Sequence, residues 1–117
     1  MPLSYEQMEE LVRHNLSGAA SVPIIDVRDR DEVKNSGLIP SATNVPLNEL
    51  AGALSLADAE YTAKYAAPMP KRDAKVVVYC LKGMRADKGC TLLQKEGFTA
   101  ADTYPGSWDE WSKHHKM

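Results

Sequence analysis

The spacing of apolar residues changes along this chain, and each change marks an element. Ser4 and Gln7 form an S-x-x-Q capping box ahead of Met8, Leu11, Val12 and Leu16. Those four recur at helical spacing, while Glu6, Glu9, Glu10 and Arg13 fall on other faces. The pattern predicts a helix from about Tyr5 to Asn15, with Gly18 just beyond its end. Val22 to Val27 reads V-P-I-I-D-V, a short, branched, nearly continuous apolar run that suits a buried parallel strand. A short helical turn is expected over Asp29 to Val33. Gly37 to Pro46, G-L-I-P-S-A-T-N-V-P, is loop chemistry around a brief strand near Thr43 to Val45. Leu47, Leu50 and Leu54 then share one helical face. Ser55 with Asp58 is expected to cap a second helical piece holding Tyr61 and Tyr65. The P-M-P at Pro68 to Pro70 ends it, and Lys71 to Ala74 is a solvated connector.

Lys75 to Tyr79, K-V-V-V-Y, is the strongest strand signal. A short turn from Cys80 to Met84 holds Gly83, and a helix follows from Arg85 to Glu96, closed by Gly97. Ala100 to Tyr104 reads as a short edge strand, Pro105-Gly106 as a turn, and Ser107 as the start of a last helix with Trp108 and Trp111. Alternating strands and helices predict an α/β fold. Its centre is a mostly parallel sheet of about five strands, with helices on both faces. No internal repeat, low-complexity tract or linker interrupts the pattern, so residues 1–117 are expected to form a single domain.

Composition narrows the function. The chain is 44% hydrophobic and 26% charged, ordinary for a soluble globular protein, and a net charge of -2 supplies no basic field for nucleic acid or an anionic membrane. No apolar run approaches the ~20 residues of a membrane span. Met1 to Leu16 carries three glutamates and no apolar h-region, so neither a secretory leader nor a transit peptide is expected, and the expected address is the cytoplasm. Two cysteines, Cys80 and Cys90, are read as thiols, because small disulfide-stapled scaffolds carry more and a cytosolic chain keeps thiols reduced.

Cys80 is the candidate for chemistry. It follows a strand and precedes a helix, at the carboxyl end of a parallel sheet where ligands bind. In C-L-K-G-M-R, successive N–H groups can turn inward as an anion nest. The helix start adds the positive end of its dipole, and Lys82 and Arg85 bring cations nearby. Such a setting favours a thiolate, the nucleophilic form. The plain alternative, a cysteine that merely fills space after a strand, does not need the glycine turn or the two cations.

These residues carry a family resemblance. V-V-V-Y-C-L-K-G-M-R-A resembles the active-site loop of the rhodanese superfamily. Upstream, I-I-D-V-R-D-R-D-E-V and G-L-I-P-S-A-T-N-V-P are similar to its two structural signatures, in order, and Y-P-G-S-W-D-E-W is similar to its closing segment. The resemblance runs from about Val22 to Trp111 and is nearest to short single-domain thiosulfate sulfurtransferases, including the thiosulfate:glutathione type. It departs at Leu38 and Ser41, where the family often has G-H-I-P-G-A, and at Leu81, where many relatives carry arginine.

The resemblance implies a rhodanese-like fold and a two-step reaction. Cys80 would take the outer sulfur of thiosulfate as a persulfide and pass it to glutathione, another thiol or cyanide. Leu81, Lys82, Gly83, Met84 and Arg85 would cradle the sulfur. No metal or organic cofactor is implied, and a monomer is expected. Asp26, Arg28 and Glu32 are expected as structural support, with Arg28 pairing Glu32 as a framework ion pair. Two other readings stay open: a sulfur-relay or protein-binding module without small-molecule turnover, and a cysteine phosphatase. Loop length opposes the phosphatase. Cys80 to Arg85 is C-x4-R, one residue shorter than the C-x5-R that wraps a phosphate.

Cys90, with Ala86 and Leu93, falls on one helical face and is read as a packed core cysteine rather than a resolving thiol. His14, His114 and His115 have no metal-ligand spacing. Trp108 and Trp111 are read as core or rim packing, with Trp108 a candidate for the pocket mouth.

Overall fold

The computed structural model describes residues 2–18 and 21–115, so both ends of the expected 1–117 span lie outside the described residues. The elements are α1 Tyr5–Leu16, β1 Ile24–Asp26, α2 Arg30–Ser36, β2 Ala42–Asn44, α3 Leu47–Leu54, α4 Asp58–Tyr65, β3 Val76–Tyr79, α5 Met84–Lys95, β4 Ala101–Thr103 and α6 Ser107–His114. All strand pairings are parallel, in the order β2-β1-β3-β4. The central pair, β1 and β3, is buried at every position, as the apolar Ile24–Ile25 and Val76–Tyr79 require, with Asp26 buried at the end of β1.

Among the described residues the sheet has four strands rather than the expected five or so. Beyond β4 the chain offers one backbone contact, from Leu3 N–H to the Thr103 carbonyl at 2.8 Å, before Ser4 turns it into α1. The capping box closes as the sequence predicts: Ser4 Oγ accepts from Gln7 N–H at 3.2 Å, and Gln7 Oε1 accepts from Ser4 N–H at 2.9 Å.

Alternating side chains send the sheet into two cores. On one face Ile25, Val76 and Val78 pack with Leu50 and Leu54 of α3, Tyr61 of α4 and Ala86, Cys90 and Leu93 of α5. On the other, Ile24, Val77 and Tyr79 meet Met8 and Val12 of α1 and Trp111 of α6. The layering is helix, sheet, helix.

One local expectation is corrected. Ser55 does not cap α4; it closes α3, its hydroxyl donating to the Ala51 carbonyl at 3.2 Å. The α4 start is held instead by Glu60, which accepts from the Ala57 N–H at 3.3 Å. Ser41, standing where relatives of this pattern often have glycine, adopts a left-handed φ of 71°. Its hydroxyl accepts from Asn15 Nδ2 at 3.1 Å, an anchor that offsets part of the backbone cost.

Candidate active site

Cys80 lies at the carboxyl end of β3 and is 2% exposed. The chain reverses over the next three residues into α5. Gly83 makes the reversal possible, with φ 110° and a backbone so close to Pro105 that a Cβ would sit 3.0 Å from its carbonyl oxygen. The reversal turns backbone donors onto the sulfur. Gly83 N–H reaches Cys80 Sγ at 3.0 Å and Ala86 N–H at 3.4 Å. Two donors aimed at sulfur lone pairs suit an anionic sulfur better than a neutral thiol, because charge strengthens each hydrogen bond. The N–H groups of Met84 and Arg85, orphans of the first α5 turn, have no backbone partner among the described residues.

The loop is also fixed from behind by α6. Cys80 and Leu81 carbonyls accept from Trp108 and Asp109 N–H, both at 2.9 Å. Cys80 N–H donates to the fully buried Ser107 hydroxyl at 3.2 Å, which donates onward to the Tyr104 carbonyl at 2.9 Å. Ser107 holds this place at a left-handed φ of 57°. Sequence reasoning missed Ser107 as a site residue. A lone serine at a helix start looks like any cap, and its distance of 27 residues from Cys80 hides the contact.

The expected Arg28–Glu32 pair is not formed. Arg28 turns back on Asp26, with Nη2 2.7 Å from Oδ2 and Nε bonded to both carboxylate oxygens. The rest of its fork is taken by Ser36 Oγ and the Gly37 carbonyl, each at 2.7 Å. Both side chains are almost wholly buried, so every donor needs a partner. Asn44 Nδ2, not singled out from sequence, ties the same bend through the Asp26 and Arg28 carbonyls at 2.9 Å. The guanidinium lies 4.9 Å from the ring of Trp108, which places that residue between framework and site.

Glu32 reaches the Cys80 loop instead. Its oxygens take Arg85 Nη1 at 2.5 Å and Nη2 at 3.0 Å, a bidentate pair about one-third exposed on each side. The pair holds the Glu32 carboxyl below its usual value and raises the Arg85 guanidinium. Of the two cations read from the loop, Arg85 is therefore charge-matched by a carboxylate. Lys82 is exposed and makes no ion pair among the described residues. Beside the loop, Lys82, Asp109, Glu110 and Lys113 line an open cleft of about 490 Å³.

Cys90 is buried, donates to the Ala101 carbonyl at 3.4 Å, and is pushed up by burial, then by Asp102 and Asp87. It sits in the core as its helical spacing predicts. His114 stacks on Tyr5 and His115 on Trp111.

The family model for the rhodanese-like domain matches residues 8–114. The chain belongs to the rhodanese-like domain family. Within it, the chain is 36% identical over 98 residues to the human thiosulfate:glutathione sulfurtransferase, covering 83% of this chain and 84% of that protein. It is 38% identical over 103 residues to a putative mitochondrial thiosulfate sulfurtransferase of Schizosaccharomyces pombe, covering 85% and 72%. Among solved structures, a human single-domain sulfurtransferase superposes with a TM-score of 0.84 at 32% identity, covering 99% of this chain and 96% of that one. A Saccharomyces cerevisiae single-domain sulfurtransferase gives 0.82 at 30%, covering 97% and 91%. This rhodanese-like chain thus shares fold and length with single-domain sulfurtransferases, and sulfur transfer is the activity its relatives support.

Proposed function

We propose that the chain moves sulfane sulfur from thiosulfate, through a persulfide on Cys80, to a thiol acceptor such as glutathione, with cyanide as a substitute acceptor. The observation that carries this is the pair of backbone donors converging on Cys80 Sγ inside a C-x4-R loop.

The steps balance without a redox partner. The Cys80 thiolate attacks the outer sulfur of thiosulfate, a new S–S bond forms, and sulfite leaves with the electron pair of the bond it loses. The acceptor thiolate then attacks the outer sulfur of the persulfide and Cys80 leaves as thiolate. The N–H groups of Met84 and Arg85 would stabilise the extra sulfur, and the helix dipole acts in the same direction. Glutathione carries two carboxylates and an ammonium. The cleft beside the loop offers Lys82 and Lys113 for the first and Asp109 and Glu110 for the second. A cytoplasmic, monomeric enzyme without metal or organic cofactor completes the proposal.

The test is intact mass spectrometry after thiosulfate treatment, followed by glutathione. One added sulfur atom on Cys80, removed by glutathione, is the expected result. Sulfur that loads on Cys80 but passes only to a protein thiol would instead favour the relay reading, and sulfur on Cys90 would overturn both.

A further inference from the structure

At the amino ends of the strands, opposite Cys80, a cavity of about 400 Å³ lies under the chain that follows α4. Its volume falls in the range of small-molecule sites. Val22, Ile25, Met69 and Pro70 give it an apolar lining, Lys71 stands at its rim, and Tyr61 is part of its wall. Tyr61 is 1% exposed, yet its hydroxyl has no hydrogen-bond partner among the described residues. Side-chain nitrogens and oxygens sealed from solvent all have partners there. The Tyr61 hydroxyl therefore keeps a solvent-accessible face, and Tyr61 is part of the wall of this cavity. Burial, with a smaller contribution from Tyr65, pushes this phenol up to about 12, so it is a proton donor throughout the neutral range. A hydroxyl on a largely apolar wall with only water to partner it is a hydrogen-bond donor a ligand can take over.

We propose that this cavity binds a small carboxylate with an apolar body, of the aryl or short-acyl class, its carboxylate taken by the Tyr61 hydroxyl and by Lys71. The apolar body replaces water against Val22, Ile25, Met69 and Pro70. Tyr61 donates to one carboxylate oxygen, and Lys71, exposed and outside any ion pair among the described residues, supplies the charge. The site is separate from the sulfur-transfer reading, since the parallel sheet puts Cys80 at its other end.

The probes are benzoate and its uncharged analogue benzyl alcohol, titrated into the full chain and followed by amide chemical shifts. Saturable changes confined to residues 22–25, 43, 61 and 67–71 are expected with benzoate. Tyr61→Phe should weaken benzoate roughly fivefold, the value of one hydrogen bond. Lys71→Ala should weaken benzoate two- to threefold, as for an exposed charge, and leave benzyl alcohol unchanged. Tyr61→Phe removes a hydroxyl without a partner, so the melting temperature of that variant should not fall. The absence of saturable shifts in the unmodified chain, equal benzoate affinity in all three proteins, or a marked drop in the melting temperature of Tyr61→Phe would each overturn the proposal.

Discussion

Replacing Ser107 tests how the site is held. Its hydroxyl is the sole side-chain partner of the Cys80 N–H, at 3.2 Å, and it donates to the Tyr104 carbonyl at 2.9 Å. The Tyr104 carbonyl keeps a second donor, the Ser107 N–H at 3.1 Å, so it is not stranded by the change. The Cys80 N–H is, because Ser107 is fully buried and the space left by a hydroxyl is small. Ser107→Ala should therefore cost about 2 kcal/mol, the penalty of one buried unsatisfied donor. For a domain of this size that is about 8 °C in melting temperature. Ser107→Gly loses the same hydroxyl but relieves a left-handed φ of 57°, worth roughly 1 kcal/mol. The glycine variant should accordingly be more stable than the alanine variant, although glycine normally weakens a helix. Urea denaturation gives the order. Sulfur transfer should fall roughly tenfold in Ser107→Ala, since small displacements of a reacting atom are expensive. An alanine variant matching the unmodified protein in both stability and rate would show that the hydroxyl does not position Cys80. A glycine variant less stable than the alanine one would show that the backbone strain is not there.

Four further predictions follow from the loop and its supports. Cys80→Ser should abolish sulfur transfer with the circular dichroism unchanged, whereas folded Cys90→Ser should keep most activity; both are read by sulfite release. Inserting one residue between Leu81 and Met84 should remove transfer, because the N–H groups of Gly83 and Ala86 can no longer both reach Sγ; a lengthened loop at the original rate would falsify the role given to loop length. Glu32 is held below its usual carboxyl value by Arg85. Its contribution to stability is thus full above the unfolded value of about 4.5 and is lost as pH falls through the folded one. Glu32→Gln should be less stable than the unmodified protein at pH 7, and the gap should close as pH falls through the lowered carboxyl value in urea titrations. Thiosulfate should be preferred over 3-mercaptopyruvate as donor. With Arg85 matched by Glu32, Lys82→Ala should narrow the kcat/KM ratio more than Arg85→Ala does, and most strongly at low salt.

What the sequence disclosed here tracks how local each feature is. The Cys80 loop is legible because strand, turn and helix are contiguous, and Gly83 marks the reversal within the motif. Cys90 is legible because helical spacing alone puts it beside Ala86 and Leu93. The ion pairs were misassigned, since Arg28 has acids at two short spacings and only the bend after β1 decides for Asp26. Glu32 then finds Arg85 across 53 residues, a distance no pattern encodes. Ser107 and Asn44 escaped for the same reason: each does its work through backbone groups of a segment far away in the chain. The count of about five strands is too high because it rests on typical sheet size, whereas the residues themselves carry four strand signals, at Val22–Val27, Thr43–Val45, Lys75–Tyr79 and Ala100–Tyr104.

The attachment of the loop to α6 has a consequence for the order of events during synthesis. Every residue of the Cys80 motif leaves the ribosome before Ser107, Trp108 and Asp109, whose groups take the Cys80 N–H and the Cys80 and Leu81 carbonyls. Until α6 has emerged and docked, the Cys80 N–H and the Cys80 and Leu81 carbonyls lack these partners. The loop therefore gains its full set of hydrogen bonds only once Ser107, Trp108 and Asp109 have been added to the chain.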